Sequence, residues 1–115
     1  MQEKYAILKK SNPGKILGTL HCINGAKYAE LERNIELIDI PLHFRKNYSG
    51  GVLVVDNEAI EYWISTRIPP PYRQDLRDIL REFGMDKYDS WELFKAYGGR
   101  SVRDDFYIEE ITPMS

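Results

Sequence analysis

The residues with the most chemical potential lie between positions 60 and 111, and they are arginines and aromatics. Arg73, Arg77 and Arg81 recur at i, i+4, i+8, beside Gln74, Asp78 and Glu82. On a helix such a row is either a mixed-charge solvated face or a surface that docks an acidic partner. With Arg67, Arg100 and Arg103 it could also meet phosphates. Trp63 lies close to a helix end, ahead of Ser65-Thr-Arg67 and three prolines. Trp, Tyr and Arg are the residue types enriched in interface hot spots, so Trp63 reads as a core residue or a partner anchor. Trp91, Phe94 and Tyr97 stand at helical spacing and read as core.

The types that perform catalysis or hold metals are sparse. His21 and Cys22 are adjacent, so in a strand they point to opposite faces and cannot share a metal or form a nucleophile–base pair. His43 is distant, and a zinc site needs about four ligands at short spacing. Cys22 reads as a small buried hydrophobe. The glycines are scattered or leave helices, so no phosphate-cradling loop opens a helix. The pairs Asp104-Asp105 and Glu109-Glu110 read as solvated surface, because acid/base carboxylates must share a pocket with differing environments. These absences point away from an enzyme and from any cofactor.

Bulk properties agree with a binding role. A chain of 115 residues supports one domain spanning 1–115 and one core. Its formal net charge of -2 lacks the basic excess that nucleic-acid binding draws on. The single cysteine, Cys22, cannot form an internal disulfide, which suits a reducing cytoplasm. No signal peptide or membrane-spanning run is expected, the longest apolar run being Val52-Leu-Val-Val55.

The elements that must position these residues split by half. The first 55 residues read as β-rich. Tyr5–Leu8 and Lys15–Cys22 flank Ser11-Asn-Pro-Gly14, where Pro-Gly predicts a type II turn within a β-hairpin. Asn24-Gly25 is a second turn, and Lys27–Leu31 a third strand. Ile35–Leu42 reads as an edge strand or one ending at Pro41, which cannot donate to a ladder. Tyr48–Gly51 reads as a loop. The second half reads as helical. Asp56 or Asn57 caps a helix through Ser65, with Ile60, Trp63 and Ile64 on one face. Pro69-Pro-Pro71 stops it and opens a helix whose stripe is Tyr72, Leu76, Ile79, Leu80 and Phe83. Asp89-Ser-Trp-Glu92 starts a third helix that ends at Gly98-Gly99. The final segment, 105–111, alternates too loosely to assign. The expected class is α+β: an antiparallel sheet, a hairpin plus one to three further strands, packed against about three C-terminal helices.

The order of motifs resembles a known family. Ile16-Leu-Gly-Thr-Leu20, Tyr28-Ala-Glu-Leu31, Leu37-Ile-Asp-Ile-Pro-Leu42 and Tyr48-Ser-Gly-Gly51 resemble the N-terminal subdomain of HipA-like serine/threonine kinases. Trp63-Ile-Ser-Thr-Arg-Ile-Pro-Pro70 stands at that family's Leu-Leu-Pro segment, with Arg67-Ile-Pro-Pro-Pro71 in place of its Leu-Leu-Pro-Glu signature. Gly98–Ile108 is similar to its Gly-Leu-Ser-x-x-Asp-x-Tyr-Trp piece. The resemblance covers roughly residues 4–110 and reaches no kinase core, so no ATP loop or catalytic Asp carries over. It implies a non-catalytic module like the separate HipS-type subunit: an antitoxin or regulator that binds a HipA-like kinase, with room for a helix-turn-helix DNA-binding subunit. Its partner surface is expected around Trp63, Arg67, Pro70, Tyr72, Arg73 and Arg77. The alternative is a small nucleic-acid or phosphate-binding domain using the Arg-rich helix 71–83.

Overall fold

A computed structural model describes residues 2–33, 35–47 and 53–111. The expected α+β class is what it contains. Strands β1 (Gln2–Lys9), β2 (Gly18–Ile23), β3 (Ala26–Leu31), β4 (Val54–Val55) and β5 (Phe106–Glu110) form one sheet in the order β4-β3-β2-β1-β5. Every neighbouring pair is antiparallel. Helices α1 (Asn57–Ser65), α2 (Leu76–Glu82) and α3 (Ser90–Ala96) follow β4 in the chain. The expected loop at Tyr48–Gly51 lies outside the described residues.

Local chemistry accounts for most boundaries. Asn24 and Gly25 both take positive φ, 51° and 88°, which makes their hairpin a two-residue I′ connection matched to strand twist. The other hairpin forms as expected, but its turn differs. Lys15 N–H donates to Asn12 C=O across Pro13-Gly14 at 3.2 Å, yet Gly14 does not take the positive φ of a type II turn. The Asp56 carboxylate accepts from Ala59 N–H at 2.9 Å and caps α1. Asp89 caps α3 in the same way, through Glu92 N–H at 3.1 Å.

Two expectations are corrected. Ile35–Leu42 is not a strand. Leu37–Asp39 and Leu42–Asn47 are 3-10 turns that bury Ile35, Ile40 and Phe44 while Leu37 and Ile38 stay exposed. Pro41, with no N–H for a ladder, separates the two turns, and its C=O accepts from Phe44 N–H at 2.9 Å. The helix expected from Pro71 begins only at Leu76. Each proline disfavours helical backbone in the residue before it, so 68–70 do not wind as a helix. Residues 70–76 instead form turns, with Arg73 N–H bonded to Pro70 C=O and Leu76 N–H to Arg73 C=O. Tyr72 therefore falls outside the apolar stripe, of which only Leu80 is buried.

The sheet's inner face carries Tyr5, Ile7, Leu20, Cys22, Ala29, Leu31, Val55, Phe106 and Ile108, all buried in one core with Ile60, Trp63, Ile64, Leu93 and Phe94. Trp63 sits at its centre, 1% exposed, with ring centroids 5.4 Å from both Phe44 and Phe94. The unassigned C-terminal segment is β5, paired with β1 from the opposite end of the chain.

Candidate functional site

The six residues expected at a partner surface fall into two groups. Trp63 and Arg67 are buried; Pro70 is half-buried, and Tyr72, Arg73 and Arg77 are exposed. Arg67 is an internal clamp. Its Nη1 and Nη2 donate to the two Asp104 carboxylate oxygens, each at 2.8 Å. Its Nε donates to Gly99 C=O at 2.7 Å, and Nη2 also donates to Phe106 C=O at 2.9 Å. The guanidinium lies 4.9 Å above the Trp63 ring, a cation–π contact within the core. Such a planar fork matches a carboxylate two-point, which Lys cannot do. Burial alone would raise the Asp104 carboxyl, but Arg67's hydrogen bonds and charge outweigh it and hold its pKa below the ordinary value.

This clamp also finishes one edge of the sheet. Phe106 and Ile108 turn their backbone groups away from β1. Phe106 N–H donates to Asp104 at 3.0 Å, Phe106 C=O accepts from Arg67, and Ile108 N–H donates to Gly98 C=O at 2.9 Å. An unpaired strand edge invites pairing with another chain, and these bonds occupy its first half, Phe106 N–H and C=O and Ile108 N–H.

Between the clamp and α2 runs the turn Ile68–Asp75. It is anchored at its start, by buried Arg67 and by the Tyr88 hydroxyl, which donates to Pro69 C=O at 2.9 Å. Its apex presents Tyr72, 86% exposed, beside Arg73. Arg73 is bonded to Asp75 through Nε at 2.6 Å and Nη2 at 3.3 Å. Because α2 starts at Leu76, Arg73 is not on the helix with Arg77 and Arg81, and the expected three-arginine row is not continuous. For nucleic acid, the same set is weakened further: Arg67 is internal and Arg73 is already neutralised.

No family model, curated protein or solved structure matches this chain.

A second polar cluster binds β1 to α3. Glu3 accepts from Tyr5 Oη at 2.8 Å, Trp91 Nε1 at 3.1 Å and Lys95 Nζ at 2.9 Å. Lys27 and Lys95 both lie over the Trp91 ring, at 5.3 and 5.4 Å, and Lys27 pairs with Glu61. Burial and the adjacent Glu3 push the Tyr5 phenol well above its usual range, so it stays protonated as a donor. Every member has a partner, and the arrangement reads as cross-bracing. His21 stacks on Tyr28 at 4.5 Å with Nε2 3.3 Å from Glu30, while Cys22 lies in the core. Among the described residues no group of three or more His, Cys, Asp or Glu could hold a metal ion. No helix among them is long and apolar enough to cross a membrane.

Sequence reading missed the Arg67–Asp104 pair. The available signal was faint: Arg67 follows Trp63 by four positions, so the two share a helical face, but nothing local names Asp104.

Proposed function

We propose that this protein is a non-catalytic protein-binding module that restrains a HipA-like serine/threonine kinase, as an antitoxin or regulatory subunit. The motif order from Ile16 to Ile108 supports the choice of partner. One observation carries the choice of surface: Tyr72 and Arg73 stand exposed in a turn whose start is anchored by Arg67 and by the Tyr88–Pro69 bond, and which Leu76 N–H closes onto Arg73 C=O. A rigid, exposed Tyr-Arg pair can meet a partner without paying much ordering entropy. Trp63 and Arg67 serve this surface as its foundation, and contact passes to Pro70, Tyr72, Arg73 and Arg77.

Co-expression with a HipA-like kinase encoded beside it, followed by affinity capture, tests the reading. A complex is expected, and Tyr72→Ala with Arg73→Ala should weaken it by about 2 kcal/mol or more, the range of interface hot spots. Absence of any complex sinks the proposal. A complex that tolerates both substitutions keeps the partner but moves the surface elsewhere.

A further inference from the structure

Among the described residues, nothing pairs with the other edge of the sheet. Leu31 N–H donates to Leu53 C=O at 2.9 Å, and β3 pairs with β4 as Ala29↔Val55 and Glu30↔Val54. Bonded and non-bonded pairs alternate in an antiparallel ladder. Leu31–Leu53 and Ala29–Val55 are therefore the bonded pairs, and Val54 is the non-bonded one between them. Its N–H and C=O point away from β3. The ladder on the far side of β3 agrees, since Glu32 N–H donates to Leu17 C=O and sends alternate residues of β3 towards β2. No described residue meets the outward Val54 groups. At β5, by contrast, Asp104, Arg67 and Gly98 meet the outward groups of Phe106 and the N–H of Ile108.

The open edge borders a cleft of about 630 Å³ lined by Leu42, His43, Leu53, Val54, Glu58 and Tyr62, among others. Its apolar rim is unusually bare: Leu42 is 69% exposed and Val54 62%. Among the described lining residues the charged groups are the carboxylates Asp56 and Glu58, with no Lys or Arg beside them.

We infer that the β4 edge and this cleft bind an extended peptide segment that alternates apolar and basic side chains. The main chain would bond to Val54 N–H and C=O as an added strand. Apolar side chains would enter the cleft against Leu42 and Tyr62, and Lys or Arg would face Asp56 and Glu58. Charge selects this occupant over a second copy of the chain, whose own β4 would bring another Asp56 and Glu58 to the same seam. The surface is separate from the Tyr72–Arg77 turn and does not depend on the kinase reading.

The test is binding of terminally blocked heptapeptides, one alternating Lys and Val and one alternating Glu and Val, followed by fluorescence anisotropy. The Lys/Val peptide should bind and the Glu/Val peptide should not. Glu58→Lys should weaken Lys/Val binding by about tenfold or more through like-charge repulsion. Val54→Pro should abolish it while leaving the fold intact, because the N–H it removes serves no ladder bond. Where that variant fails to fold, amide exchange in the unsubstituted protein decides: Val54 N–H should slow on adding the Lys/Val peptide. Equal binding of both peptides, binding indifferent to a folded Val54→Pro variant, or unchanged Val54 exchange each overturns the inference. So does self-association that Val54→Pro removes in the absence of peptide binding.

Discussion

Arg67 and Asp104, thirty-seven positions apart, meet in a two-point ion pair that ties the turn after α1 to the approach to β5. The Arg67 side chain is 3% exposed, so its charge is stabilised by this carboxylate and two backbone carbonyls rather than by water. Asp104 is the open partner, its side chain 35% exposed, so its removal strands a buried guanidinium that water can reach only in part.

Asp104→Ala is therefore expected to lower stability by roughly 1–3 kcal/mol, the range for leaving a buried donor short of an acceptor, read as a fall in the urea midpoint at unchanged slope. Arg67→Lys should recover little of an Arg67→Ala loss, since an ammonium cannot bridge both carboxylate oxygens and two carbonyls at once. A Lys variant as stable as the parent would show that charge alone matters here.

Acid should loosen both this ion pair and the Glu3 cluster between β1 and α3. Burial raises the Glu3 carboxyl, but hydrogen bonds from Lys95, Trp91 and Tyr5 outweigh it and leave its pKa below the ordinary 4.5. Asp104 lies below its ordinary 3.8 for the corresponding reason. A carboxyl whose folded pKa is depressed binds more protons unfolded, so it stabilises the fold above the unfolded pKa and loses that contribution as pH falls through the folded one. Stability should be flat above about pH 5 and drop through pH 4 and below. Asp104→Asn should shrink the drop, measured as the difference in thermal midpoint between neutral and acid buffer.

The aromatic residues should separate by depth. Trp63→Ala should cost about 3–5 kcal/mol, the range for emptying a large aromatic site in a core. Tyr72→Ala should change stability by no more than about 0.5 kcal/mol, as for an exposed surface side chain. Chemical denaturation of both variants checks the contrast, and a destabilised Tyr72 variant would mean the turn is less independent of the core than its exposure indicates.

Gly99 is expected to resist substitution. It takes φ 69°, and a Cβ there would stand 2.9 Å from Ile108 Cγ1. Gly99→Ala should cost more than about 1 kcal/mol, because the added methyl is strained in backbone and crowded by the β5 strand that Gly98 and Arg67 secure. Thermal unfolding of the variant provides the measurement.

Much of the architecture was legible in neighbouring residues. Asn24-Gly25 determined its own turn, since both residues accept positive φ. Asp56 and Asp89 determined where α1 and α3 begin, since a carboxylate there bonds a free N–H three residues on. Ile60, Trp63 and Ile64 determined which face of α1 is buried. These signals act within a few residues, so they survive in any tertiary setting. Tertiary structure decided the rest. Ile35–Leu42 alternates well enough for a strand, yet burying Ile35, Ile40 and Phe44 together requires turns around Pro41. Residues 106–110 became a strand only because β1 offered them an edge across the length of the chain. Arg67 looked like a surface cation until Asp104, Gly99 and Phe106 converged on it. Burial, pairing and charge neutralisation are properties of what arrives from a distance, and no short window of sequence carries them.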